Sequence, residues 1–121
     1  AALNGKGIYL IEQPEIHVHP AMQARLGDLF IEALRERRGR PVVVETHSEH
    51  LILRLLRRIR EASATEALSP AQTFSADKLS VIYVESDPEG VRIQRLRVGP
   101  DGEFLDRWPK GFFEERAEEL F

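Results

Sequence analysis

Acids, amides and imidazoles gather in two short stretches of this chain. The first is Glu12-Gln13-Pro14-Glu15 with His17-Val18-His19-Pro20 after it, and the second is Glu45-Thr46-His47-Ser48 with His50. Carboxylates suit hard divalent cations, and neutral imidazoles suit zinc-type ions. One chemistry open to them is metal-dependent hydrolysis, with His17, His19, His47 and His50 joined by Glu12 and Glu45 in a histidine-carboxylate site. His-x-His in an extended loop and His-x-x-His at a helix start are both compatible with ligand geometry. His17 and His19 alternate along that extended segment and so point the same way, which equally suits local hydrogen bonding. Glu15 and Glu45 read as structural rather than catalytic.

The elements that must position these residues follow from the apolar patterning. Ile8-Tyr9-Leu10-Ile11 runs straight into Glu12, and Val42-Val43-Val44 into Glu45, as buried strands end in polar loops. Unbroken apolar runs predict strands covered on both faces, as in a parallel sheet, whose carboxyl ends are where α/β folds bind ligands. Between them Met22, Leu26, Leu29, Phe30, Ala33 and Leu34 predict an amphipathic helix from about 20 to 38, opened by Pro20 and closed by Gly39. Leu51, Ile52, Leu55, Leu56 and Ile59 predict a second helix to about residue 62, with Ser48 as its N-cap and Glu49 in its first turn. The order β-α-β-α implies parallel strands delivering Glu12, Gln13, Glu45 and His47 to one edge.

Residues 62–76 read as a long loop, open to partial helix. Strands are predicted at 79–85 and 91–98, joined by Ser86-Asp87-Pro88-Glu89-Gly90 as a hairpin loop. Imperfect alternation of Val91, Ile93, Leu96 and Val98 predicts a bulge near Gln94. A turn at Gly99-Pro100-Asp101-Gly102 and an acidic helix from Glu114 to Phe121, with Phe113, Ala117 and Leu120 on one face, complete the chain.

The length suits one domain with a small core. Without cysteine there is neither a disulfide framework nor a thiolate zinc site, which fits a reducing, cytoplasmic setting. No segment approaches the roughly 18 apolar residues of a membrane span. The chain does not begin with Met, and its start in a short loop before a buried strand reads as a piece of something longer. Basic residues gather at Arg35, Arg37, Arg38 and Arg40 and at Arg54, Arg57, Arg58 and Arg60. Solvated helix faces account for them, with phosphate or nucleic-acid contact the alternative.

The string from the apolar strand through Glu12-Gln13-Pro14-Glu15 to His17-Val18-His19-Pro20 resembles the Walker B and D-loop segment of ABC-type ATPases. The resemblance is to the branch that includes OLD-family and recombination-type ATPases. Val42-Val43-Val44-Glu45-Thr46-His47-Ser48 looks like the strand and switch histidine of the same fold, and the hairpin at 79–98 resembles the one that follows it. Trp108-Pro109-Lys110-Gly111-Phe112-Phe113-Glu114-Glu115 looks like the end of predicted prokaryotic ATPases that carry a C-terminal domain of unknown function.

The resemblance implies an α/β, partial P-loop NTPase (ABC-ATPase-like) fold, with parallel strands and flanking helices followed by a β-hairpin and a C-terminal helix. Residues 1–76 would be the Walker B and switch-histidine half, and 77–121 the hairpin and acidic helix. It implies ATP and Mg²⁺ as cofactors, with Glu12 holding Mg²⁺ through water, and Gln13, His47 and Ser48 completing the catalytic and nucleotide-binding set. His17, Val18, His19 and Pro20 would face a second subunit across a nucleotide sandwich, and a nuclease, DNA or another effector would be the partner. Gln13 stands where the family carries a glutamate. An amide holds water but takes no proton near neutral pH, so either hydrolysis is slow, or Glu15 or another acid serves, or positioning plus electrostatics suffices; a nucleotide-held switch is the competing reading. No Gly-x-x-x-x-Gly-Lys-Ser/Thr and no Leu-Ser-Gly-Gly-type signature occurs, Gly5-Lys6-Gly7 being only a turn. The family supplies both upstream, so the 121 residues alone are expected to bind ATP poorly and hydrolyse none.

Overall fold

The computed structural model describes residues 7–38, 40–65 and 74–108. They fall into two compact units, one over residues 7–57 and one over 58–108. The expected closure of the first helix by Gly39, most of the 62–76 loop and the acidic C-terminal helix lie outside the described residues.

The first unit carries β1 (Tyr9–Glu12), α1 (Pro20–Glu36), β2 (Val42–Glu45) and the start of α2 (Glu49–Ser63). The strands pair in parallel, Tyr9 beside Val42, Leu10 beside Val43, Ile11 beside Val44 and Glu12 beside Glu45. Side chains alternate across a strand, so Tyr9, Ile11, Val42 and Val44 share a half-buried face, and Leu10, Glu12, Val43 and Glu45 share the other. That second face is open: Leu10 is 75% exposed and Val43 50%. The expectation of two covered faces is therefore corrected: α1 lies against β2, and the face carrying Leu10 and Val43 stands exposed.

Pro20 opens α1 at a position whose N–H has no helical partner. His19 caps it, its Nδ1 accepting the Ala21 N–H at 3.2 Å. Gly27 and Ile31, four residues apart, form the buried line of α1, whereas Met22 and Leu29, expected on the core face, are exposed. Gly27 is there because α2 comes close. A Cβ on it would sit 3.1 Å from the Arg54 Cβ and 3.2 Å from the Leu51 carbonyl oxygen. Asp28 and Arg54 bridge the same crossing at 2.7 Å. After α1 the chain passes through Arg38 with φ +56°. Arg37 turns inward, its guanidinium 3.6 Å from the Tyr9 ring centroid and donating to the Gly7 carbonyl. In α2, Leu51, Leu56 and Ile59 are buried, in line with the helical spacing.

The second unit centres on β3 (Val81–Asp87) and β4 (Gly90–Leu96), preceded by one 3-10 turn at Ala76–Lys78. Their antiparallel register runs without interruption from Val81 opposite Leu96 to Asp87 opposite Gly90. Two sequence expectations are corrected here. The hairpin loop shrinks to Pro88 and Glu89, because Asp87 accepts the Glu89 N–H at 2.8 Å and pairs with Arg92 at 3.0 Å, carrying the strand two residues further. The bulge near Gln94 is absent, because β4 is exposed on both faces up to Leu96 and burial imposes no alternation on it. Val98 leaves the strand to bridge Phe104, whose ring meets Trp108 edge-on at 4.6 Å.

Arg97 clasps Asp106 with its guanidinium and its backbone N–H, the latter at 2.7 Å. The side-chain bonds first, and then the backbone bond, hold the Asp106 carboxyl down to about 2. A depressed folded-state value means the stabilisation is present above the unfolded carboxylate value and is lost as pH falls through about 2. Carboxyl NMR titration should place the Asp106 midpoint there, and Arg97→Met should move it up toward 3.8. At the α1–α2 crossing, Gly27→Val should lower stability by roughly 1–3 kcal/mol in urea unfolding, since the added side chain crowds the Leu51 carbonyl oxygen and the Arg54 Cβ.

Candidate functional site

The site begins where the two parallel strands end. Glu12 and Glu45 are neighbours in register, both exposed and on the same face. The Gln13 N–H donates to the Glu45 carbonyl at 2.7 Å, extending the ladder by one bond. Gln13 itself has φ +43°. A left-handed backbone costs a non-glycine residue about 1–2 kcal/mol, and such strain concentrates at functional sites.

Beyond Gln13 the chain turns twice rather than running extended. Ile16 N–H donates to the Gln13 carbonyl at 3.3 Å, Val18 N–H to the Glu15 carbonyl at 3.0 Å, and His17 has φ +63°. The reading of His17 and His19 as alternating along an extended segment is therefore corrected, since His17 lies in a turn with a left-handed backbone. His19 serves as a helix cap. His17 is exposed. The histidine-carboxylate grouping does not form: among the described residues no three His, Asp or Glu side chains come together to hold a metal ion.

His47 follows β2 with its side chain exposed and its backbone N–H donating at 2.8 Å to Glu15 Oε1. Glu15 is only 9% exposed, and its other oxygen is buried with no hydrogen-bond partner. Ser48 is buried and fully engaged. Its hydroxyl accepts the Leu51 N–H at 3.2 Å, capping α2 as the sequence predicts, and donates to Gln23 Oε1 at 2.8 Å. Its own N–H goes to Thr46 Oγ1 at 2.9 Å. Gln23 donates in turn to the Val18 carbonyl at 2.9 Å. Thus Glu12, Gln13, Glu45 and His47 meet at one edge, while Ser48 acts within the scaffold behind them.

Sequence reasoning assigns Gln23 and Arg37 no role of their own and reads Glu15 as structural, or as a substitute base, without its tie to His47. Gln23 had a signal: it stands four residues before Gly27 and eight before Ile31, a polar residue on the buried line of α1. Most of the basic cluster is engaged within the chain. Arg35 pairs with Glu32, Arg54 with Asp28 and Arg58 with Glu61, and Arg37 stacks on Tyr9. No described helix is long and apolar enough to cross a membrane.

Residues 3–52 match a family model described as an AAA ATPase domain. The match takes in β1, α1, β2 and the first residues of α2, and so all of the site. No curated protein and no solved structure matches the chain. Ser48→Ala should lower stability by roughly 1–2 kcal/mol, read as a fall in the urea midpoint at unchanged slope, because α2 loses its cap and Gln23 a donor. Ser48→Thr, which keeps both functions, should restore most of it.

Proposed function

We propose that these residues are the Walker B and switch-histidine part of an ABC-type ATPase, in the branch of OLD and recombination-type ATPases. One observation carries the reading. Parallel register sets Glu12 beside Glu45, with Gln13 and the exposed His47 immediately beyond, inside the span that matches an AAA ATPase domain.

The donor set suits Mg²⁺. Glu12 is an exposed carboxylate at a strand end with a second carboxylate beside it in register, and Mg²⁺ keeps several waters and takes one or two carboxylates with phosphate oxygens. Bound Mg²⁺ and ATP supply the reacting phosphoryl group and the cation that neutralises its charge. Glu12 would hold the cation. Gln13, held by the Glu45 carbonyl, orients a water by hydrogen bonding. The exposed His47 would contact the terminal phosphate and report its presence. His17, Val18, His19 and Pro20 face a second copy across the nucleotide, making the working form a homodimer. Because the 121 residues contain no phosphate-cradling glycine loop, that loop comes from other polypeptide of the same protein. A nuclease, DNA or another effector receives the output.

Gln13 also favours a second reading, a slow or non-hydrolysing switch that nucleotide holds closed. General-base catalysis is worth about 10²–10⁴-fold, so the two readings differ in rate by that order. In the full-length polypeptide, Mg²⁺-dependent ATP turnover should vanish in Glu12→Ala and His47→Ala and rise in Gln13→Glu. Turnover comparable in wild type and Gln13→Glu would exclude the switch. ATP binding without turnover until Gln13→Glu would establish it, and no ATP binding by any form would end both readings.

A further inference from the structure

Two loops of the site, residues 13–19 after β1 and 46–48 after β2, are joined by more than the strand ladder. One tie is direct: His47 N–H to Glu15 Oε1 at 2.8 Å, with Glu15 9% exposed. The other passes through a helix side chain. Gln23 of α1 donates to the Val18 carbonyl at 2.9 Å and accepts from Ser48 Oγ at 2.8 Å. Both ends of the Gln23 amide are thereby engaged, one as donor and one as acceptor, so its orientation is determined. Ser48 is 4% exposed and anchored in turn to Leu51 N–H. Partly buried polar bonds of this kind are costly to break singly, because the abandoned partner recovers only part of its hydration.

We infer that Glu15 and Gln23 are positioning residues that clamp the two loops into one rigid body, so that a displacement of residues 15–18 is transmitted to His47 and Ser48. Neither touches the reacting groups. Glu15 holds the backbone of His47, and Gln23 holds the carbonyl of Val18 to the cap of α2. Residues 16–20 are the segment that would face a second subunit and His47 the residue that would contact phosphate, so the clamp gives the dimer interface a short covalent-and-hydrogen-bonded route to the histidine. That catalytic meaning rests on the ATPase reading, whereas the mechanical link stands on the hydrogen bonds alone.

Amide hydrogen exchange of the 121-residue chain tests the link without nucleotide. Glu15→Ala should accelerate exchange at the His47 amide about tenfold, whereas Glu15→Gln, whose amide oxygen still accepts, should stay close to wild type. Gln23→Glu is isosteric and still accepts from Ser48, but has no N–H for the Val18 carbonyl. It should accelerate exchange at His47 as well as at Val18 although it touches neither amide. Unchanged His47 exchange in Gln23→Glu overturns the clamp, and because that variant preserves size it carries the test should Glu15→Ala not fold. In the full-length polypeptide, Glu15→Ala and Gln23→Glu should lower kcat for ATP with KM nearly unchanged, and Glu15→Gln should retain kcat. Wild-type kcat in Glu15→Ala and Gln23→Glu overturns the positioning role. Absence of wild-type turnover together with the expected exchange pattern overturns the ATPase reading and upholds the link.

Discussion

Parallel pairing of β1 with β2 is the constraint from which the rest follows. Two parallel strands cannot be joined by a tight turn, so α1 is required as the crossover, and it must begin and end within a few residues of the strands. The same pairing brings both carboxyl ends to one edge. Register then decides the chemistry: a slip of one residue would move Glu12 away from Glu45 and to the opposite face. The loops after the two strands become neighbours for the same reason, and Gln13 can reach the Glu45 carbonyl only in that register.

Around this edge, buried and exposed polar groups divide the work. Glu12, Glu45 and His47 are exposed and available to solutes, while Glu15 and Ser48 are buried and committed to backbone groups or to Gln23. Burial makes the second set a scaffold, since removing one partner leaves the other desolvated. The strained backbone of Gln13 and His17 belongs to the same arrangement. Two left-handed residues in five allow a loop that doubles back under the strand end and returns Glu15 to the core. Far from the site, Arg37 does comparable work at the start of β1, covering the Tyr9 ring with its guanidinium.

The second unit follows different rules. Its hairpin has no buried face along most of β4, so cross-strand pairs and turn chemistry determine its register rather than hydrophobic alternation. Asp87, paired to Arg92 and turned onto the Glu89 amide, sets where the loop falls, and the Arg97–Asp106 clasp with the Phe104–Trp108 contact closes the turn beyond it.

The sequence by itself determined the order β-α-β-α and the placement of Glu12, Gln13, Glu45 and His47 at strand ends. It also determined the Ser48 cap, because hydrophobic periodicity, proline position and cap chemistry act within a few residues of themselves. Tertiary structure alone decided that Leu10, Val43, Met22 and Leu29 stay exposed, that the chain turns at residues 13–18, and that among the described residues its histidines join no metal group. It alone decided the ties through Glu15 and Gln23. Those outcomes depend on which distant backbone groups need a hydrogen-bond partner and which faces meet a neighbour. A local pattern of residue types carries no record of either.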